Sequence, residues 1–242
     1  MLLENKTAIV YGGAGSIGRA VAQTFAAEGA QVHLAGRALE PLDRVAEQIR
    51  SSGARAETAQ VDALDEQAVD RHADAVAAEA GGIDISMNLI SVGEVFGTPL
   101  AEMPLADFER PVANSVRSNF LTARAAARHM TSQRSGVILM FGGYGAPASD
   151  FYLGGFQVSL SAVDALRRQL AAELGPHGVR VLTVQSVGVA DSEESNPLAA
   201  GTMLGRAATP ADIGHVAAFA ASERARAITA TALNVTCGAE VD

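Results

Sequence analysis

The sequence has few of the residues that two common classes of function require. It contains a single cysteine, Cys237, so neither an internal disulfide nor a multi-cysteine metal site is available. Its formal net charge is −9, whereas nucleic acid selects basic surfaces that neutralise its phosphates. We therefore expect no nucleic-acid partner and no disulfide framework.

Long apolar segments are also missing. Apolar runs are short, as in Val137 to Phe141, whereas a helix that crosses a bilayer needs roughly 20 apolar residues. Residues 1–6 show no charged head followed by an apolar stretch, so no signal peptide is expected. From these features we expect a cytoplasmic protein with no membrane partner.

Lysine and histidine usage limits the chemistry further. Of the 18 basic residues only Lys6 is a lysine, so a catalytic lysine later in the chain is unavailable. The five histidines are scattered and form no His-x-x-x-His pair. Their spacing therefore predicts no metal site.

What the sequence does contain is a regular alternation of short β-branched runs and longer alanine-rich stretches. Predicted strands cover residues 7–11, 31–35, 56–61, 83–89, 136–141, 179–184 and 232–235. Predicted helices cover residues 17–28, 39–51, 66–80, 105–131, 156–174 and 210–221. This alternation predicts one α/β domain over residues 1–242, a doubly wound parallel sheet of the Rossmann type with helices on both faces.

A glycine-rich turn joins the first predicted strand to the first predicted helix. Residues 11–18 read Tyr-Gly-Gly-Ala-Gly-Ser-Ile-Gly. Glycines at such a junction let the backbone turn sharply and approach a pyrophosphate, which then lies on the helix N-terminus. The cofactor-binding candidates in this turn are Gly12, Gly15, Ser16, Ile17 and Gly18.

The end of the second predicted strand indicates which nicotinamide cofactor fits. An acidic residue there would bind a ribose 2′-hydroxyl and select NAD, but this chain has Gly36 followed by Arg37. A guanidinium suits a 2′-phosphate, so NADP(H) is favoured over NAD(H). An exposed loop arginine with no ligand is the alternative.

Several motifs, in order, resemble the short-chain dehydrogenase/reductase (SDR) family over nearly the whole chain. They are Gly12-x-x-x-Ser16-Ile17-Gly18, Val61-Asp62, Asn88, Gly178-Val179-Arg180-Val181 and the motifs within residues 205–213. The resemblance implies that Asp62 and Ala63 lie at the adenine and that Asn88 stabilises the sheet beside the cofactor. Asp62 as a helix N-cap is the alternative.

The resemblance also carries expectations about partners and organisation. It implies a small-molecule substrate and a homo-oligomer, either a tetramer or a dimer. Residues 1–95 would form mainly the cofactor-binding half, and residues 96–242 mainly the half for substrate and oligomerisation.

SDR enzymes catalyse with an asparagine, a serine, a tyrosine and a lysine. The tyrosine passes a proton to or from the substrate oxygen, and the lysine favours its phenolate, since the unperturbed pKa of tyrosine is about 10. Aligned without gaps, the four positions here are Ser115, Gly143, Phe156 and Leu160. All four family roles are vacant in this alignment.

Two tyrosines are candidate proton donors in place of the family residues: Tyr152, four residues before Phe156, and Tyr144. With either of them, or with water, the protein would be an NADP(H)-dependent oxidoreductase with a non-standard proton-delivery site. Hydride transfer to a polarised C=C or C=N bond needs less acid assistance than carbonyl reduction. Two other interpretations stay open: a non-catalytic NADP(H)-binding pseudoenzyme or inactive subunit of a mixed oligomer, and a non-redox isomerase or dehydratase.

Overall fold

The computed structural model describes residues 1–143, 151–189, 199 and 201–241. Within these ranges, seven strands form one parallel sheet in the order β3-β2-β1-β4-β5-β6-β7. The strands are β1 (Thr7–Tyr11), β2 (Gln31–Gly36), β3 (Ala56–Gln60), β4 (Ile85–Asn88), β5 (Gly136–Gly142), β6 (Val179–Gln185) and β7 (Ala232–Asn234). The helices are α1 (Ser16–Ala27), α2 (Leu39–Ser51), α3 (Glu66–Ala80), α4 (Leu105–Gln133), α5 (Gly155–Leu174) and α6 (Pro210–Ala221).

The doubly wound parallel sheet predicted from the alternation is confirmed, with small differences at the element ends. Two ends differ by two residues: α4 ends at Gln133 rather than at residue 131, and β4 begins at Ile85 rather than at Ile83. The side chain of Gln133 explains the later start, because it accepts a hydrogen bond from the Ile83 amide at 3.0 Å and donates one to the Ile83 carbonyl at 3.0 Å. A side chain thus satisfies backbone groups that a strand neighbour would otherwise bind.

Helices cover both faces of the sheet, and the strands alternate their side chains between the two layers. In β1, Ala8 and Val10 face the cluster that includes α1, α2 and α6, whereas Ile9 and Tyr11 face the cluster that includes α3, α4 and α5. All of β1 is buried. Of the helices in the described ranges, none combines the length and apolar character that crossing a bilayer requires.

The strand order reverses next to β1. The chain moves outward from β1 through β2 to β3, then returns to place β4 on the other side of β1. Tyr11 and Asn88 are partners at the carboxyl ends of β1 and β4. In open α/β sheets this reversal leaves a crevice outside the carboxyl ends of the strands, which is where ligands bind.

A buried polar cluster lies directly beneath this crevice. The Tyr11 ring meets the His72 ring edge to face, with centroids 5.8 Å apart. Burial, and then the neighbouring His33, lowers the pKa of His72 to about 4. Burial, and then the carboxylate of Asp70, raises the pKa of Tyr11 above its usual value. His72 therefore folds in its neutral form.

We predict that His72 makes the protein less stable in acid. Because its pKa falls from 6.5 to about 4 on folding, its neutral form is fully compatible with the fold above pH 6.5. As the pH falls from 6.5 towards 4, protonation favours the unfolded chain, at a cost of about 1 kcal/mol per pH unit. The measurement is the free energy of unfolding by denaturant at several pH values in this range. It should fall less steeply with falling pH for His72→Phe than for the wild type. The control is His177→Gln, at an exposed histidine, which should keep the wild-type dependence on pH. The same dependence in all three proteins would contradict the prediction.

Candidate functional site

The glycine-rich turn between β1 and α1 is fixed by backbone contacts. The Gly12 amide donates to the Ala35 carbonyl at 2.8 Å, and the Gly15 amide donates to the Gly12 carbonyl at 3.1 Å. Gly12 has a φ of 78°, in the left-handed region. A Cβ on Gly18 would lie 2.1 Å from the Gly12 oxygen, so only glycine lets α1 pack this closely on the turn.

The N-terminus of α1 is open at the crevice. Gly15 is the N-cap, and no side chain caps the helix. Gly15 and Ser16 are exposed, whereas Ile17 packs against the core. A Cβ on Gly15 would have only the Gly12 oxygen nearby, at 3.5 Å. A helix N-terminus with free space beside its glycine N-cap fits a pyrophosphate, so the residues present fit a dinucleotide.

Arg37 follows the carboxyl end of β2 and is exposed. Its carbonyl accepts a hydrogen bond from Gln60 Nε2 at 2.9 Å, which holds the backbone of this loop. Its guanidinium forms no hydrogen bond or ion pair with the residues that the structure describes, so it is free for an anionic ligand. A Cβ on Gly36, beside it, would lie in ordinary contact with Leu42 Cδ1 at 3.5 Å.

Asp62 lies in the turn after β3 and does not cap a helix. Its Oδ1 accepts from the Leu64 amide at 2.9 Å, while Asp65 caps α3 by accepting from two amides of its first turn. The N-cap alternative for Asp62 was therefore wrong. Ala63 is buried, and Arg117 Nε donates to the Leu64 carbonyl at 2.7 Å. Arg117 thus holds this turn to α4, a contact that only the folded chain reveals.

The side chain of Asn88 ties the carboxyl end of β4 to the following backbone and to α4. It is buried, its Oδ1 accepts from the Ile90 amide at 3.1 Å, and its Nδ2 donates to Thr122 Oγ1 on α4 at 3.3 Å. Asn88 therefore fixes the chain leaving β4 against α4, on the β4 side of the crevice.

The four positions aligned with the family's catalytic residues lie on three elements. Ser115, on α4, is buried, and its carbonyl accepts from Asn119 Nδ2 at 2.9 Å. Gly143 directly follows β5, and Leu160 lies one turn inside α5. A Cβ on Gly143 would be 3.1 Å from Leu160 Cδ1. Leu160 therefore occupies the space next to Gly143, and the two residues pack together.

Asn114, the residue before Ser115, makes a structural contact. The helix α4 is continuous from Leu105 to Gln133, so no bulge shifts its register at this point. Asn114 Nδ2 instead donates to the Val92 carbonyl at 3.1 Å, which fixes the segment after β4.

Phe156 lies in an aromatic surface rather than beside a polar group. Its ring meets that of Phe96 edge to face, with centroids 5.7 Å apart and planes at 77°. The Gly97 amide donates to the Phe151 carbonyl at 3.1 Å, which joins the segment after β4 to the segment before α5. A Cβ on Gly155 would be 1.9 Å from the Phe108 oxygen, so glycine allows α5 to begin this close to α4.

The two candidate proton donors differ in what the structure says of them. Tyr152 is 48% exposed, has a φ of 47°, and lies one turn before Phe156. Its hydroxyl makes no hydrogen bond within the part of the chain that the structure describes. Tyr144 lies outside the described residues.

Sequence reasoning missed one carboxylate. Glu94 follows β4 and precedes Phe96 by two residues, and its Oε2 is buried without a hydrogen-bond partner among the residues that the structure describes. Arg110, whose Cδ lies near Gly93, is instead paired with Asp107 at 2.6 Å. A carboxylate two residues before Phe96 was the signal in the sequence, but its burial depends on the folded loop.

Comparisons with known proteins agree with this arrangement. A family model for enoyl-(acyl carrier protein) reductase matches residues 12–240. The 3α-hydroxysteroid dehydrogenase of Mediterraneibacter gnavus is 33% identical over 256 residues, covering 97% of each chain. The 7α-hydroxysteroid dehydrogenase of Escherichia coli K12 is 29% identical, covering 98% of this chain and 94% of that protein.

Solved structures show the same fold over the whole length. A short-chain dehydrogenase/reductase from Serratia marcescens matches with a TM-score of 0.88 at 28% identity, covering 100% of both chains. A 7α-hydroxysteroid dehydrogenase complexed with NADH and 7-oxo glycochenodeoxycholic acid matches with a TM-score of 0.87 at 26% identity, covering 99% of this chain and 97% of that one. On these matches, the chain belongs to the short-chain dehydrogenase/reductase family of oxidoreductases.

Proposed function

We propose that this protein is an NADP(H)-dependent oxidoreductase that transfers hydride to a small substrate without the family's usual proton-delivery residues. The observation that carries the proposal is the glycine-rich turn at the reversal of strand order, where Gly15 is exposed and a Cβ on it would have only the Gly12 oxygen nearby, at 3.5 Å. The relative solved with NADH supports a nicotinamide cofactor at this position.

The proposed cofactor site uses residues from the carboxyl ends of four strands, β1 to β4. Gly12, Gly15, Ser16, Ile17 and Gly18 form the turn that holds the pyrophosphate. Asp62 and Ala63 lie at the adenine, Asn88 holds the β4 side, and Arg37 binds the 2′-phosphate. When bound, the reduced nicotinamide supplies a hydride.

The catalytic end is proposed to handle protons differently from its relatives. Phe156 and Leu160 have no ionisable group, and Gly143 has no side chain, so these positions shape an apolar site. Tyr152 is the proposed donor for substrates that need a proton, with Tyr144 as the other candidate. Because general acid catalysis contributes about 10²- to 10⁴-fold, carbonyl reduction here should depend strongly on this donor.

We predict that Arg37 determines the preference for NADPH. Hydrogen bonds to charged groups contribute about 1.5–3 kcal/mol, so Arg37→Ala should weaken NADPH binding about 10- to 100-fold. NADH binding should be unchanged, because NADH has no 2′-phosphate. Fluorescence titration of both nucleotides measures the two affinities.

A matched control and a clear contradiction exist for this test. Arg44 is exposed on α2 and paired with Glu40, so Arg44→Ala should change neither affinity. Equal NADPH and NADH affinities in the wild type would contradict the proposed role of Arg37. Binding of neither nucleotide would contradict the proposed function itself.

We predict that Tyr152→Phe slows reduction of carbonyl substrates about 10-fold or more, because the phenol hydrogen is lost while the ring remains. Steady-state NADPH oxidation with a panel of ketones measures the effect, and NADPH affinity should stay unchanged. Tyr144→Phe is the matched comparison. An undiminished rate for Tyr152→Phe would eliminate Tyr152 as the donor, and a loss confined to Tyr144→Phe would transfer the role to that residue.

A homo-oligomer, either a dimer or a tetramer, is part of the proposal. Helices α4 and α5 keep large apolar side chains exposed as well as buried ones. Leu105, Phe120 and Val158 are among the exposed group. We propose that a second copy of the chain covers these faces.

A non-catalytic NADP(H)-binding subunit is the second candidate. The close packing of Leu160 beside Gly143 favours it, because the space next to Gly143 is filled by an inert side chain. Tight NADPH binding without turnover of carbonyl, enone or imine substrates would support this second candidate over the first.

A further inference from the structure

We propose that the substrate is an iminium ion carrying an apolar ring, held between an aromatic wall and the carboxylate of Glu94. The aromatic wall consists of Phe96, Phe151, Tyr152 and Phe156. This inference rests on the proposed function, since it names the substrate class of the same site.

The aromatic wall lies at the carboxyl edge of the sheet, on the two segments that follow β4 and precede α5. Its segments are joined by the Phe96–Phe156 ring pair and by the hydrogen bond between the Gly97 amide and the Phe151 carbonyl. Phe96, Phe151 and Tyr152 are 52%, 50% and 48% exposed. The chain has only eight phenylalanines and three tyrosines and no tryptophan, so this concentration of exposed rings at one site indicates a ligand.

Aromatic faces bind two kinds of group: apolar rings and cations. The negative face of an aromatic ring attracts a cation within about 6 Å, by about 0.5–2 kcal/mol depending on desolvation. Glu94 decides between the two. Its Oε2 is buried and has no hydrogen-bond partner within the described part of the chain, and Arg110 nearby is already paired with Asp107.

A buried carboxylate oxygen without a partner is costly, so its retention here calls for a counter-ion. Glu94 precedes Phe96 by two residues, which limits the distance between their Cα atoms to about 7 Å. Glu94 and the aromatic wall are therefore neighbours along the chain, and the proposal seats the positive charge of the ligand against this carboxylate.

The residue at position 160 does not repel a positively charged ligand. In the family a lysine stands at this position, and its ammonium would repel a cation. Here Leu160 is neutral, and the only lysine in the chain is Lys6, on the N-terminal side of β1. The net charge of −9 further favours approach of a cation over approach of an anion.

The chemistry of an iminium ion matches the apolar positions Phe156 and Gly143. A hydride from the reduced nicotinamide forms a new C–H bond at the iminium carbon, and the π electron pair of the C=N bond becomes the lone pair of the nitrogen. The iminium ion is reduced to a neutral amine and the nicotinamide is oxidised. No proton enters the step, so no phenol or lysine is required.

Calorimetry with two matched probes tests the binding claim without turnover. N-methylisoquinolinium is a permanent aromatic cation, and isoquinoline is its neutral counterpart at a pH above the pKa of that base. We expect the cation to bind the NADP⁺-loaded protein at least 10-fold more tightly. Glu94→Gln, which keeps the shape of the side chain, should remove most of this difference and leave the neutral probe unchanged.

Glu102→Gln is the matched control, because Glu102 is an exposed carboxylate in the same segment. It should not alter the affinity of either probe. Phe96→Leu should weaken both probes, since it removes a ring that both contact.

Rates of substrate reduction test the inference independently of binding. NADPH oxidation with an N-methylated dihydroisoquinolinium should be at least 100-fold faster than with tetralone, a ketone of similar size. Equal binding of the two probes, or an unchanged preference in Glu94→Gln, would overturn the inference. These outcomes differ from failure of the proposed function, in which NADPH itself would not bind.

Discussion

The pairing of β1 with β4 determines where this protein can bind a ligand. Both strands are fully buried, and Tyr11 and Asn88 are partners at their carboxyl ends. The chain leaves these two ends in opposite directions, so a crevice opens between the glycine-rich turn and the segment after β4. The candidate cofactor residues and the aromatic wall follow the carboxyl ends of strands at this edge.

Local pattern was enough to predict the sheet and the glycine-rich turn. The fold class follows from the periodic spacing of apolar residues and from the alternation of strands and helices along the chain. Gly12 and Gly18 are required by contacts within one short segment. Contacts between residues far apart in the chain could not be predicted in this way. Gln133 binds the backbone of Ile83, 50 residues away, and β4 begins later as a result. Arg117 on α4 donates to the carbonyl of Leu64 in the turn after β3. The sequence could not predict that Glu94 Oε2 has no hydrogen-bond partner among the described residues. Burial of a single atom depends on how the loop folds, and no sequence pattern encodes it.

The proposed catalytic end combines three features that make physical sense together. Phe156 packs its ring on Phe96, and Leu160 places an alkyl group beside Gly143. Under the proposed function, neither of these side chains moves a proton, and both favour an apolar ring. Glu94 is proposed to add a negative charge beside the aromatic wall. A hydride acceptor that already carries a positive charge suits all three.

Hydride transfer without a coupled proton transfer is therefore the central claim of the proposed function. Isotope effects on reduction of the N-methylated dihydroisoquinolinium measure it directly, with NADPH deuterated at the transferred position and with D₂O as solvent. We predict a primary isotope effect from the deuterated nicotinamide and none from the solvent, because no proton moves in the transition state. A solvent isotope effect on the hydride-transfer step would contradict a site that transfers hydride alone.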